Sequence, residues 1–87
     1  MVWISGEMLS EMRYRLGDYF VDVDVKLAPF PDTINVTIHS YSIKDEDLRR
    51  IRDIARKVFG RKIRKMEFGV SAVDDYTVCT IIYITFK

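Results

Sequence analysis

From Ser5 to Leu16 the apolar residues Met8, Leu9, Met12 and Leu16 recur at three- and four-residue spacing, the period of a helix with one buried face. Ser5 is placed to cap its start and Gly17 to end it. Tyr19, Val21, Val23, Val25 and Leu27 then alternate with Phe20, Asp22, Asp24 and Lys26, the period of two of a strand whose first set of side chains is buried. Pro29-Phe30-Pro31-Asp32 turns the chain. Ile34, Val36 and Ile38 alternate with Thr33, Asn35, Thr37 and His39, so a second strand closes a hairpin with a polar outer face.

The second half repeats this plan. Ser42 with Asp45 three residues on reads as a capping box, and Asp45, Glu46 and Asp47 suit the positive end of a helix dipole. Leu48, Ile51, Ile54, Ala55, Val58 and Phe59 form one stripe at about 100° per residue, and Gly60 stops the helix. A third strand carries Met66, Phe68, Val70 and Ala72 on one face, Asp74-Asp75 turns, and a fourth strand runs from Tyr76 to Phe86. Val78, Ile82, Ile84 and Phe86 supply the inner face of that last strand. Ile81 and Tyr83 make its outer face apolar as well, the mark of a central or covered strand.

The expected fold is therefore α+β, a two-layer sandwich in αββαββ order. Two helices cover one face of a four-stranded, mostly antiparallel sheet with the fourth strand central, and the other face is left open. Residues 1–87 read as one domain. A weak αββ repeat, 5–41 and 42–87, aligns Arg13 with Arg56, Leu16 with Phe59, Gly17 with Gly60 and Asp32 with Asp75 at an offset of 43. In element order alone the layout resembles BON-type domains and the cytoplasmic domains of cation-efflux transporters, a likeness that implies a fold and no site.

Composition fits this reading. At 87 residues a chain buries roughly 60 to 65% of its unfolded surface, enough for one core and not two. A hydrophobic fraction of 48% with 31% charged residues lies away from disordered chains. Cys79 is the only cysteine, so no internal disulfide forms and a reducing compartment is expected. The stretch from Met1 to Glu7 lacks a basic region and a long apolar run, and no segment approaches the roughly 18 apolar residues of a spanning helix. A cytoplasmic location follows as the expectation. Glutamine is absent and asparagine occurs once, a bias that leans towards a thermophilic source.

Charge changes the picture more. Nine of the 14 basic residues lie between Arg49 and Lys65, where Asp53 is the only acid, so this segment carries +8 and the remainder −7. Arg49, Arg52, Arg56, Lys57, Arg61, Lys62, Arg64 and Lys65 are candidates for contact with nucleic-acid phosphates. The plainer account is a solvated helix face, because Asp45 with Arg49, Glu46 with Arg50 and Asp53 with Lys57 are each four apart. A third account has the basic segment meet an acidic protein surface, including the acidic hairpins of a second copy.

Other surfaces carry less chemistry. Phe20, Tyr41, Ile81 and Tyr83 fall on the outward parity of their strands, and with Phe30 at the hairpin tip they offer a protein interface or a base-stacking platform. The interface residues expected are Phe20, Phe30, Ile81 and Tyr83. Asp22, Asp24 and His39 share the outer face but lack a further ligand at a metal-binding spacing. Cys79 and His39 form a conceivable nucleophile pair, with no glycine-rich phosphate loop or nucleophile elbow beside it. No catalytic residue, metal site or cofactor is expected. The chain reads as a non-enzymatic interaction domain, self-associating or docking on a protein through the open face. The alternative is a nucleic-acid-binding protein using the basic segment 49–65.

Overall fold

The computed structural model describes residues 4–87; Met1, Val2 and Trp3, which begin the stretch read for an export signal, lie outside the described residues. Two helices, α1 (Gly6–Leu16) and α2 (Asp45–Phe59), and four strands, β1 (Asp22–Leu27), β2 (Thr33–Ser40), β3 (Ile63–Asp74) and β4 (Thr77–Phe86), follow one another as α1 β1 β2 α2 β3 β4. A single 3-10 turn, Gly60–Lys62, joins α2 to β3. All neighbouring strands are antiparallel, in the order β1-β2-β4-β3. The α+β sandwich expected from the two periodicities is the observed architecture, and β4 is an inner strand, with β2 beside it.

The core lies between the helices and one face of the sheet. Met12 and Leu16 of α1 and Ile51, Ile54, Ala55 and Phe59 of α2 pack with Val25, Ile34, Val36, Ile38, Ile82, Ile84 and Phe86. Most of these side chains are wholly removed from water, each contributing about 1.5 to 3 kcal/mol of burial. Phe59 meets Phe86 edge to face at 4.9 Å, which fixes the last turn of α2 on the end of β4.

Local chemistry accounts for the ends of the elements. Ser5 caps α1 as expected, its Oγ accepting from the Met8 N–H at 3.2 Å. The start of α2 differs from expectation: Lys44, not Ser42, is the residue before the helix, and its N–H donates to Asp47 Oδ2 at 2.9 Å. The Ser42 carbonyl instead accepts from Ser40 Oγ, which fastens the chain as it leaves β2. Gly60 ends α2 with φ 60° and ψ −133°, a conformation that a Cβ would strain.

The first strand also departs from its pattern. After α1 the chain makes a further turn, the Tyr19 and Phe20 N–H groups both donating to the Leu16 carbonyl, and the sheet begins only at Asp22. Parity therefore does not reach back to Phe20. Its ring is buried in the core, while Tyr19 and Val21, expected inside, are exposed. Leu27, at the end of β1, is exposed as well. Val23 and Val25 alone carry the inner face of this strand.

β3 is the longest strand, with irregular register between Ile63 and Lys65 and between Ala72 and Asp74. Its inner residues Met66 and Phe68 pack on the core. Val70 and Ala72, expected to do the same, are exposed. Beyond Phe68 this strand lacks the cover that the helices give its neighbours.

Candidate anion-binding cleft and open sheet face

α2 presents two ridges of charged residues on either side of its apolar stripe. Arg52 and Arg56 lie on one, Arg49, Asp53 and Lys57 on the other, each series spaced by four. The first ridge faces β3. Together with Gly60, Arg61, Ile63, Arg64, Lys65 and Met66 it bounds a cleft of about 540 Å³. Five lining side chains are cationic and none is acidic. The Arg52 guanidinium lies 4.9 Å from the Phe68 ring centre, a cation–π contact that holds the charge at the wall of the cleft.

The second ridge faces the turn that follows α1. Tyr19, Glu46, Arg49, Arg50, Asp53, Ile54 and Lys57 line a groove of about 310 Å³ in which acids and bases alternate. Arg50 reaches Glu46 at 3.3 Å and Asp47 at 3.5 Å, and its guanidinium stacks over Tyr19 at 4.4 Å.

Of the three helix pairs that would have explained the basic segment as a solvated face, Glu46 with Arg50 alone forms. Arg49, Arg52, Arg56, Lys57, Arg61, Lys62 and Arg64 make no ion pair within 4 Å among the described residues. Lys65 pairs with Glu67 at 3.0 Å. The structure thus divides the eight candidate phosphate contacts. Arg52, Arg56, Arg61, Arg64 and Lys65 converge on the cleft; Arg49 and Lys57 lie across the helix among acids, and Lys62 lines neither groove.

The opposite face of the sheet is a grid set by register. Asp22, His39, Cys79 and Ser71 form one row; Asp24, Thr37, Ile81 and Gly69 the next; Lys26, Asn35, Tyr83 and Glu67 a third. Phe30 reaches from the β1–β2 turn to meet Tyr83 edge to face at 5.7 Å. These two rings, with Pro31, Thr33, Arg64, Lys65, Glu67 and Thr85, line a hollow of about 430 Å³. Arg64 and Lys65 border both this hollow and the cationic cleft. Of the expected interface residues, Phe30 at the hairpin tip and Ile81 and Tyr83 by parity belong to this face or its rim, and Phe20 does not, being in the core. Tyr41 sits in the bend after β2, exposed.

His39 lies opposite Asp22 on one side and Cys79 on the other. Its Nδ1 is 3.8 Å from Asp22 Oδ2, beyond hydrogen-bond reach. Asp24 is a row away, opposite Thr37, with Lys26 at 3.9 Å. Among the described residues no three His, Cys, Asp or Glu side chains cluster as metal ligands would, and no helix is long and apolar enough to cross a membrane.

Comparison with protein-family models, curated proteins and solved structures found no match. Function rests on the surfaces themselves.

Proposed function

We propose that this chain is a non-enzymatic interaction domain whose working surface is the cationic cleft, and that the cleft binds single-stranded nucleic acid through its phosphates. The observation that carries this reading is the convergence of Arg52, Arg56, Arg61, Arg64 and Lys65 on one cleft without an acidic lining residue. Arg52, Arg56, Arg61 and Arg64, which have no acidic partner within 4 Å among the described residues, repel one another and Lys65, and an anion relieves that repulsion while releasing its own counterions. A single strand suits the surroundings better than a duplex. Arg64 and Lys65 continue onto the hollow where Phe30 and Tyr83 offer ring faces and edges to an unstacked base, the usual partnership of cationic track and aromatic platform. The acids of the open face do not oppose this path. Asp22 and Asp24 stand on β1, three strands away, at roughly 14 Å by strand spacing, and Glu67 is engaged by Lys65.

Fluorescence anisotropy with labelled single- and double-stranded oligonucleotides tests the reading. Neutralisation of four to five phosphates gives a slope of log K against log salt of about −3 for a single strand, with the duplex weaker. Absence of binding at about 50 mM salt removes the proposal, and binding of an acidic protein in its place would assign the cleft to that partner class.

A second reading, docking of a protein on the open face, is supported by the cluster of Phe30, Ile81 and Tyr83 around one hollow and its neighbouring row. Ile81→Lys separates the two. Ile81 lies on the open face outside the hollow, so oligonucleotide affinity stays within a few-fold, whereas loss of a protein partner from the same variant supports the second reading.

A further inference from the structure

We infer that the free edge of β3 pairs with the β3 edge of a second copy, antiparallel about a two-fold axis near Gly69, to make one continuous eight-stranded sheet. The inference stands apart from the nucleic-acid reading, although Arg64 and Lys65 belong to both surfaces.

The sheet has two edges, and they are built differently. β1 has six residues and sets Asp22, Asp24 and Lys26 along its length, the short, charged form that discourages edge-to-edge pairing. β3 has 12 residues. Between its two register irregularities it runs straight from Lys65 to Ala72, and the stretch Phe68-Gly69-Val70-Ser71-Ala72 is free of charge. An unpaired row of N–H and C=O groups on such a strand is a template for another strand.

Parity and charge select a second copy as the occupant. Residues facing one another across an antiparallel pair must share a face. An axis at Gly69 sets Phe68 opposite Val70 of the second copy and Met66 opposite Ala72, and the symmetry repeats both pairs. The residues left uncovered past Phe68, among them Val70 at 50% exposure, then lie beside the apolar side chains that each copy already presents on the helix side. On the open side Glu67 meets Ser71, and Gly69 meets its own mate with no side chain to collide. Beyond the straight segment, the same register sets Lys65 and Arg64 of one copy opposite Val73 and Asp74 of the other, with Lys62 one position along from Asp75. The basic start of β3 and the acidic turn that ends it are complementary only when the strands run in opposite directions, and two-fold symmetry satisfies both ends at once.

Sedimentation equilibrium of the full chain without nucleic acid reads the assembly, and a cysteine placed on the axis reads its geometry. Gly69 has nothing within 4 Å of the position a Cβ would take, so Gly69→Cys in a Cys79→Ser background fits the single chain. Residues opposite one another on antiparallel strands have Cα atoms about 4.5 to 5.5 Å apart, within the span of a disulfide. The expected result is a dimer that Gly69→Cys locks under mild oxidation at least tenfold faster than Val21→Cys, a fully exposed control, in the same background. Val70→Lys, at an exposed site, is expected to give a folded monomer by circular dichroism and sedimentation. A strict monomer at several hundred micromolar overturns the inference. So does a dimer that survives Val70→Lys or crosslinks no faster from Gly69 than from Val21, since that dimer uses another face.

Discussion

The two flanks of α2 draw on the same run of arginines and lysines and differ in what surrounds them. Towards the turn that follows α1, Arg49, Arg50 and Lys57 are interleaved with Glu46 and Asp53, and Tyr19 stacks on Arg50. Towards β3, Arg52 and Arg56 face Arg61, Arg64 and Lys65 with no acid among the lining residues. A +8 segment in the sequence is thus one neutralised groove and one concentrated cleft. The difference comes from periodicity: Asp53 sits one helical turn from both Arg49 and Lys57, on their ridge, and no acid occupies the ridge of Arg52 and Arg56.

That contrast breaks first if the cleft loses its frame. Phe59→Ala removes the ring that pins α2 against Phe86 and is expected to cost about 3 to 5 kcal/mol, read from urea denaturation, a large share of the stability of a domain this size. Gly60→Ala acts on the same corner through the backbone. The added methyl meets nothing within 4 Å, so the expected loss of about 1 to 3 kcal/mol is conformational strain at φ 60°. A near-neutral result would mean that the turn into the cleft relaxes freely.

The smallest effect has the opposite sign and sharpens the comparison. Arg56→Gln with Arg61→Gln relieves repulsion and is expected to stabilise the unliganded domain by about 0.5 kcal/mol at low salt, seen as a rise in Tm of about 2 to 4 °C that fades towards 1 M salt. Arg49→Gln with Lys57→Gln, among acids, is expected to give no such gain. Surfaces kept for binding commonly carry this cost in stability.

Much of this was legible beforehand, and the failures have local causes. Both helices, both hairpins and the inner place of β4 followed from apolar periodicity, which reports burial directly. Phe20 was misplaced because a helix-ending turn and a strand both allow alternating residues, and nothing in the Tyr19–Leu27 pattern marks where the sheet begins. Val70 was misplaced for a different reason: the pattern shows which face a side chain takes, not how far along a strand the helices reach. The basic segment was visible as a block. Its division into two flanks could have been found by laying residues 49–57 on a helical wheel, whereas the contribution of Arg61, Arg64 and Lys65 depends on how β3 returns beside α2. The meeting of His39 with Asp22 and Cys79 depends on register, which alternation leaves open.

The most direct test of the central claim compares the two flanks in one measurement: the salt dependence of single-stranded oligonucleotide affinity for the native chain, the Arg56→Gln/Arg61→Gln variant and the Arg49→Gln/Lys57→Gln variant. The account predicts that the cleft pair lowers affinity about a hundredfold at 50 mM salt and reduces the slope by about 1.4 units, while the other pair shifts affinity a few-fold at most. Equal losses from both pairs would contradict it, because binding would then follow the net charge of the segment and not the cleft.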